Sequence, residues 1–296
     1  MELRHLRYFI AVAEELHFGR AAERLHIAQP PLSIQIMQLE NELGGKLFYR
    51  TKRRVSLTEA GKLFLIEARK TLQQFENAEE TAKRAMLGQI GHVDIGYSAN
   101  AAYSGLLGQA VRSAKKASPD IDIRLTEDTP RNQLDLLLER KLHVGLMSTL
   151  VLDIPRELVT SKLASWPIRI VLPESHRLAG EKSVSPDDLR NERFITYSGS
   201  RGNYGAQVVE HILGFVPDRI DQATSTMMVT ALIGAEIGIG LLPTSLEHLA
   251  PHTGIVFKKL TGVSVEMDCC LVHWRSEFEP AVKSFIATAR KTLLPR

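Results

Sequence analysis

Cysteine is nearly missing from this chain: its 296 residues hold two, Cys269 and Cys270, and they are neighbours. That excludes a disulfide framework and a cysteine zinc site. Adjacent cysteines are strained partners for each other, so both read as reduced thiols, two small apolar residues on a C-terminal strand. The competing use of such a pair is a redox switch. Net charge is also low. At +3, the total gives no argument for nucleic acid, which must come instead from where the charges sit. Long apolar runs are missing too. The most apolar stretch, Met227 to Pro243, contains Glu236 and three glycines, so no membrane span is expected. The N-terminal residues are dense in charge and lack the apolar centre of a signal peptide, so a cytoplasmic protein is expected. What is present is ordinary for a folded chain, with 44% hydrophobic and 24% charged residues. At roughly 150 residues per domain, the length allows two domains.

The first ninety residues carry the clearest local signals. Leu6, Phe9, Ile10, Ala13 and Leu16 recur at steps of three and four, which predicts an amphipathic helix over Leu3–Leu16. Phe18–Leu25 predicts a second, short helix, with Ala21, Ala22 and Leu25 turned inward. The alanines let two helices cross closely. After a tight connection at His26, Ile27 and Ala28, a third helix opens at Gln29-Pro30-Pro31, where proline is tolerated because first-turn N–H groups have no intrahelical partner. Leu32, Ile36, Leu39 and Leu43 fall on one face, and Gly44-Gly45 ends the helix.

The opposite face of that third helix bears Pro30, Ile34, Met37 and Asn41, flanked by Ser33 and Gln38. Exposed Ile34 and Met37 suit a helix lying in the major groove, where apolar side chains touch thymine methyl groups. The alternative is a small protein–protein contact. From Gly44 to Thr58 there are five basic residues, Lys46, Arg50, Lys52, Arg53 and Arg54, and no acidic one. Val55 and Leu57 alternate with polar neighbours there, which predicts a short β-ribbon, or wing, whose arginines sit on phosphates. Thr58-Glu59-Ala60-Gly61 then caps a long helix to about Leu87. Leu65, Ala68, Leu72, Phe75, Glu79, Ala82 and Met86 form a heptad seam suited to dimerisation.

These residues closely resemble the LysR-type transcriptional regulators. The motifs are Leu6-Arg7-Tyr8-Phe9, Phe18-Gly19-Arg20-Ala21-Ala22, Ala28-Gln29-Pro30-Pro31-Leu32-Ser33, Leu39-Glu40-Asn41-Glu42-Leu43-Gly44, Leu47-Phe48-Tyr49-Arg50 and Leu57-Thr58-Glu59-Ala60-Gly61. The resemblance covers the whole chain and is sharpest in residues 1–65. It implies a winged helix-turn-helix with a long linker helix, then an α/β effector domain of two subdomains resembling a type 2 periplasmic binding protein. It also implies a homotetramer, double-stranded operator DNA and RNA polymerase as partners, and a small-molecule effector. Gln29, Pro30, Pro31 and Ser33 match the family's recognition helix, and Arg50, Arg53 and Arg54 match its wing. Several relatives carry arginine where this chain has Ile34, which removes a guanine or phosphate contact.

Beyond residue 91 the pattern changes to alternation. Val93–Tyr97, Ile121–Leu125 and Val144–Met147 are apolar runs of strand length, and segments 104–117 and 130–140 between them read as helices. That order predicts a largely parallel, helix-covered sheet. The expected organisation is a DNA-binding domain over 1–58, a linker over 59–89 and an effector domain over 90–296. The last divides into 91–161 with 267–296, and 162–266, crossing near Leu163 and Met267. Ligands of such sheets bind at the carboxyl ends of strands. Four loops there offer donors: one with Ser98 and Asn100, one with Thr129, one with Arg201, Gly202 and Asn203, and one with Thr226. Hydroxyls and free N–H groups at helix starts make an anion site, although each is equally explained as an ordinary N-cap. The resemblance favours Ser98, Thr129 and the 201–204 loop, and points to an anionic effector.

Enzyme motifs fail. Gly238-Ile239-Gly240 lacks the third glycine of a dinucleotide loop. Pro251 breaks the helix that His248 and His252 need to share a metal. Ser200 lies in Gly199-Ser200-Arg201-Gly202, which is not a nucleophile elbow. No enzyme activity, cofactor or metal is expected. The competing readings are a solute-binding protein or enzyme on the same α/β fold, and a regulator that works without a ligand.

Overall fold

The structure is a computed structural model that describes residues 1–51, 54–198 and 203–294. It divides into two compact units, Met1–Arg84 and Ala85–Arg296.

In the first unit, α1 (Leu3–Glu15), α2 (Phe18–Arg24) and α3 (Gln29–Glu42) precede the hairpin β1 (Phe48–Arg50) and β2 (Val55–Leu57), and α4 (Glu59–Met86) follows. His17 Nδ1 caps α2 by accepting from the Gly19 and Arg20 N–H groups at 3.1 and 3.2 Å. His26 turns the chain into α3 with a left-handed φ of 55°. The core is aromatic at its centre. Phe9 of α1 meets Phe48 of β1 at 5.2 Å and Phe64 of α4 at 4.9 Å between ring centroids. Gly61 lets α4 approach the wing, since a Cβ there would meet the Leu47 carbonyl oxygen at 2.1 Å. Thr58 fastens the junction, its Oγ1 accepting from the Gly61 N–H at 2.9 Å and donating to the Lys46 carbonyl at 2.8 Å.

Two expectations change here. Leu43, assigned to the buried stripe of α3, is exposed because the helix ends one residue earlier and Gly44 turns left-handed at φ 74°. The seam on α4 is divided. Leu65, Ala68 and Leu72 pack against the unit's own core, while Glu79, Ala82 and Met86 are exposed. Period alone does not distinguish a helix's own core from a partner's. The apolar residues left outside on the first half of α4 are Leu63 and Ile66, 62% and 53% exposed.

The second unit is built on an eight-stranded sheet. β3 (Gly91–Tyr97) lies between β4 (Ile121–Glu127) and β5 (Val144–Met147), parallel to both. The connections carry α5 (Ala99–Tyr103), α6 (Leu106–Ala117) and α7 (Pro130–Leu138). From there the sheet is mixed rather than parallel. β12 (Glu266–Trp274) runs antiparallel to β5 and to the first part of β6 (Leu158–Pro173). The rest of β6 pairs with β10 (Gly240–Pro243) and β11 (Ile255–Leu260), and β7 (Ser183–Val184) borders β11. β6 thus changes partners between Pro167 and Ile168. A second small parallel pair, β8 (Arg193–Tyr197) and β9 (Arg219–Ala223), carries α8 (Tyr204–Leu213) and α9 (Thr226–Gly234) beside it. α10 (Pro280–Leu293) returns to the core of β3 and β12. Among the described residues, no helix is long and apolar enough to cross a membrane.

Candidate functional site

α3 owes its place to three buried apolar side chains, Leu32, Ile36 and Leu39. Burying each fully contributes roughly 1.5–3 kcal/mol. The face they leave outside holds Gln29, Pro30, Pro31, Ile34 and Met37, with Ser33 half-buried at its edge. Ile34 is 49% and Met37 47% exposed, so the fold leaves two large apolar groups in water beside a run of polar ones.

Glu40, 1% exposed, fastens this helix to the wing. Its Oε1 accepts from the backbone N–H groups of Leu47 and Phe48 at 3.0 and 3.1 Å. Its Oε2 takes Arg50 at 2.9 Å and Lys46 at 3.2 Å. The Arg50 guanidinium also lies 4.8 Å over the Phe18 ring. Arg50 therefore departs from the expectation of a phosphate ligand, since its charge is engaged inward with a buried carboxylate and an aromatic face. Arg54 is exposed at the hairpin turn, where its N–H donates to Thr51 Oγ1 at 3.0 Å. Lys52 and Arg53 lie outside the described residues.

In the second unit a cavity of about 90 Å³ opens among the ends of β5, β8 and β10 and the starts of α5, α8 and α9. Ser98, Asn100 and Thr226 line it, as do Ser148, Thr196, Tyr197 and Tyr204. Its floor is apolar, with Val208, Leu242 and Met267. Gly205 lets α8 press on β8, because a Cβ there would meet Thr196 Cβ and the Tyr197 carbonyl oxygen, each at 2.7 Å.

Two buried donors at this cavity lack a hydrogen-bond partner in the protein. Asn100 accepts from the Ser245 hydroxyl through Oδ1, but its Nδ2 is unpartnered. The Tyr204 hydroxyl lies beside Ser148 without forming a well-made bond. Leaving such a donor unsatisfied costs about 1–3 kcal/mol. Burial raises the Tyr204 phenol far above its ordinary range, and burial with the charges of Glu127 and Asp128 pushes Tyr197 up to about 12. Both are neutral donors at physiological pH. No lysine or arginine is among the described lining residues.

The description "LysR substrate binding domain" matches residues 88–294, and "Bacterial regulatory helix-turn-helix protein, lysR family" matches residues 3–62. The chain belongs to the LysR family of transcriptional regulators. It is 36% identical over 291 residues to the HTH-type transcriptional regulator AlsR of Bacillus subtilis (strain 168), covering 97% of this chain and 94% of that protein. The Hca operon transcriptional activator HcaR of Escherichia coli (strain K12) is 35% identical, with 99% and 98% covered. Among solved structures, full-length CbnR complexed with its target DNA has a TM-score of 0.78 and 26% identity, covering 99% of this chain and 100% of that one. This is a DNA-binding transcriptional regulator with an effector-binding domain, not an enzyme.

Within this LysR regulator, Ser98, Asn100 and Thr226 are brought together at the cavity, and Thr129 and Asn203 are not. Thr129 is fully buried and spent as a helix cap, its Oγ1 accepting from the Asn132 N–H at 3.3 Å. Asn203 is exposed at the start of α8. Arg201 and Gly202 lie outside the described residues. Sequence reasoning missed Ser148, Thr196 and Tyr197. Tyr204 sat in a flagged loop, and its aromatic ring beside small polar residues was the available signal.

Asp268 was missed as well. It accepts from Ser148 Oγ at 2.6 Å, Thr149 Oγ1 at 2.6 Å, the Thr149 N–H at 2.9 Å and Cys270 Sγ at 3.2 Å. Burial pushes its carboxyl up, but these hydrogen bonds outweigh burial and hold it below the ordinary value. Asp268 thereby ties the end of β5 to β12 beside the cavity residues Ser148 and Met267. Cys269 and Cys270 are free and buried, in two different core clusters. Burial pushes both thiols up, Cys270 to about 12 with the Asp268 charge adding to it. The reactive thiolate that redox switching needs is disfavoured at both.

Proposed function

We propose that α3 reads operator DNA in the major groove and that the cavity at Asn100 and Tyr204 takes a small anionic effector. On the DNA side, Gln29 pairs with a base edge, Pro30, Pro31 and Ser33 seat the helix, and Ile34 and Met37 touch thymine methyl groups. Arg53 and Arg54 contact flanking phosphates. Arg50 positions the wing through Glu40. The protein works in the cytoplasm as a homotetramer, with Leu63 and Ile66 in a contact between copies, and acts on RNA polymerase at its promoters.

The observation that carries the effector reading is the pair of buried, unpartnered donors. They call for a ligand with acceptor oxygens at one end and an apolar body against Val208 and Met267. At about 90 Å³ the cavity falls short of the roughly 150 Å³ that admits a benzene ring. A compact aliphatic acid fits as the cleft stands, and an aromatic acid requires it to open. Opening is what couples ligand to DNA, because an effector shifts only an equilibrium whose two states it binds differently.

Calorimetry on the full chain with short aliphatic and aromatic carboxylates tests this. Tyr204→Phe and Asn100→Ala should each weaken binding by about tenfold, while Thr129→Ala, a cap, should lower stability and leave affinity unchanged. Unchanged affinity in both cavity variants places the effector elsewhere. Absence of binding by any small metabolite favours regulation without a ligand.

A further inference from the structure

Three residues unconnected with the cavity converge near the start of the sheet. In the parallel pairing of β3 with β5, Ile95 stands opposite Val144, which sets Asp94 beside His143. His92 is two residues before Asp94 on the same strand and so shares its face. One ligand-type atom from each of His92, Asp94 and His143 lies within 4.8 Å of the others. Asp94 Oδ2 is 3.5 Å from His92 Nε2 and 3.4 Å from His143 Nδ1.

Those distances are long for hydrogen bonds, which span about 2.7–3.2 Å. They match the edges of a metal polyhedron, since ligands about 2.0–2.2 Å from a tetrahedral ion lie about 3.4 Å apart. The Asp94 N–H donates to His143 Nδ1 at 2.9 Å, so a metal bound at that nitrogen takes the one lone pair that this hydrogen bond uses. The other carboxylate oxygen, Oδ1, is the one nearer Arg124, at 3.9 Å, and Arg124 pairs more closely with Asp122, at 2.9 Å.

We propose that His92, Asp94 and His143 form a binding site for a borderline divalent cation such as Zn²⁺. Two imidazoles and one carboxylate suit zinc, nickel or copper, and suit calcium or magnesium poorly. Three protein ligands leave the remaining position to water, and Glu279 lines the adjoining cavity with a further carboxylate. That cavity is walled by Ala85 and Met86 at the end of α4. His248 and His252 had the spacing that a sequence pattern can test. His92, Asp94 and His143 have none, because strand pairing brings the third ligand in.

Zinc titration of the full-length, chelator-treated protein by calorimetry should show one ion per chain, and Co²⁺ should give the absorption bands of an N/O-ligated tetrahedral ion. His92→Ala, Asp94→Asn and His143→Ala should each weaken Zn²⁺ by at least about tenfold, and His211→Ala, on the exposed face of α8, should not. His92 is exposed, so its variant tests the site without disturbing the fold, and metal-free circular dichroism and DNA binding check the other two. Absence of uptake by the wild type overturns the proposal, as does wild-type affinity in any one of the three variants.

Discussion

On α3 the functional residues are those the fold leaves outside, and in the sensor cavity they are those it encloses. Leu32, Ile36 and Leu39 hold the helix, and what remains, Gln29, Ile34 and Met37, faces outward. At the cavity, Asn100, Thr226 and Tyr204 are themselves buried. An exposed reading face is paired with a rigid mount, whereas an enclosed pocket needs polar groups left unsatisfied until a ligand arrives. The two regions also anchor their acidic residues differently. Glu40 serves a mount and Asp268 serves a joint.

The largest effect should come from removing the mount. Glu40→Ala strips the partner from two buried N–H groups and frees Arg50 and Lys46. Breaking a buried pair of this kind costs about 3–5 kcal/mol. Urea denaturation should show that loss in the first unit, and DNA binding should fall on specific and random sequence alike. If Glu40→Ala denatures like wild type, the wing is held by packing alone.

The joint should matter less and show a pH signature. Asp268→Asn weakens charge-assisted bonds to Ser148 and Thr149 by about 2 kcal/mol. The folded pKa of Asp268 lies below its ordinary value. Its contribution is therefore complete above the unfolded pKa of about 3.9 and is lost as pH falls through the lower folded value. Thermal melts at neutral pH should separate wild type from Asp268→Asn, and the gap should close in acid. A gap that persists there means the role is steric.

The same contrast explains what the sequence made legible. The helix start at Gln29-Pro30-Pro31, the glycine stop and the basic hairpin are local signals, each read within a few residues. So was the outward position of Ile34 and Met37, since helical period fixes which residues oppose a buried stripe. Arg50 was not, because its commitment to Glu40 and Phe18 depends on how the hairpin packs. The cavity is drawn from segments as far apart as Ser98 and Met267, and no period links them. Thr129 and Ser98 are the same kind of signal, a hydroxyl before a helix. One is consumed as a cap and the other lines the pocket, and only tertiary placement separates them. The divided seam of α4 is a further case, where Leu65 and Leu72 satisfy a heptad by packing on their own core.

On the exposed face, Gln29→Ala should cost about 1–3 kcal/mol at the operator and relax preference at one base position. Competition binding against a panel of single-base operator variants measures this. Equal loss on operator and random DNA removes Gln29 from base readout and makes the outer face of α3 a positioning surface.

The smallest effect should distinguish the two wing arginines that the structure describes. Arg54 is exposed, whereas Arg50 is held by Glu40. If Arg54 lies on a phosphate, Arg54→Ala releases one fewer counterion on binding. The slope of log affinity against log salt then falls by about 1, equally on every sequence. Arg50→Lys keeps the charge but loses the planar contact over Phe18 and the geometry at Glu40. It should leave the salt slope in place while lowering the stability of the first unit. Salt titrations of these two variants and of Arg50→Ala on operator and random DNA, read beside their urea midpoints, decide the matter. A reduced slope in Arg50→Ala at unchanged stability returns Arg50 to the phosphates and leaves Glu40 as a partner only in the free protein.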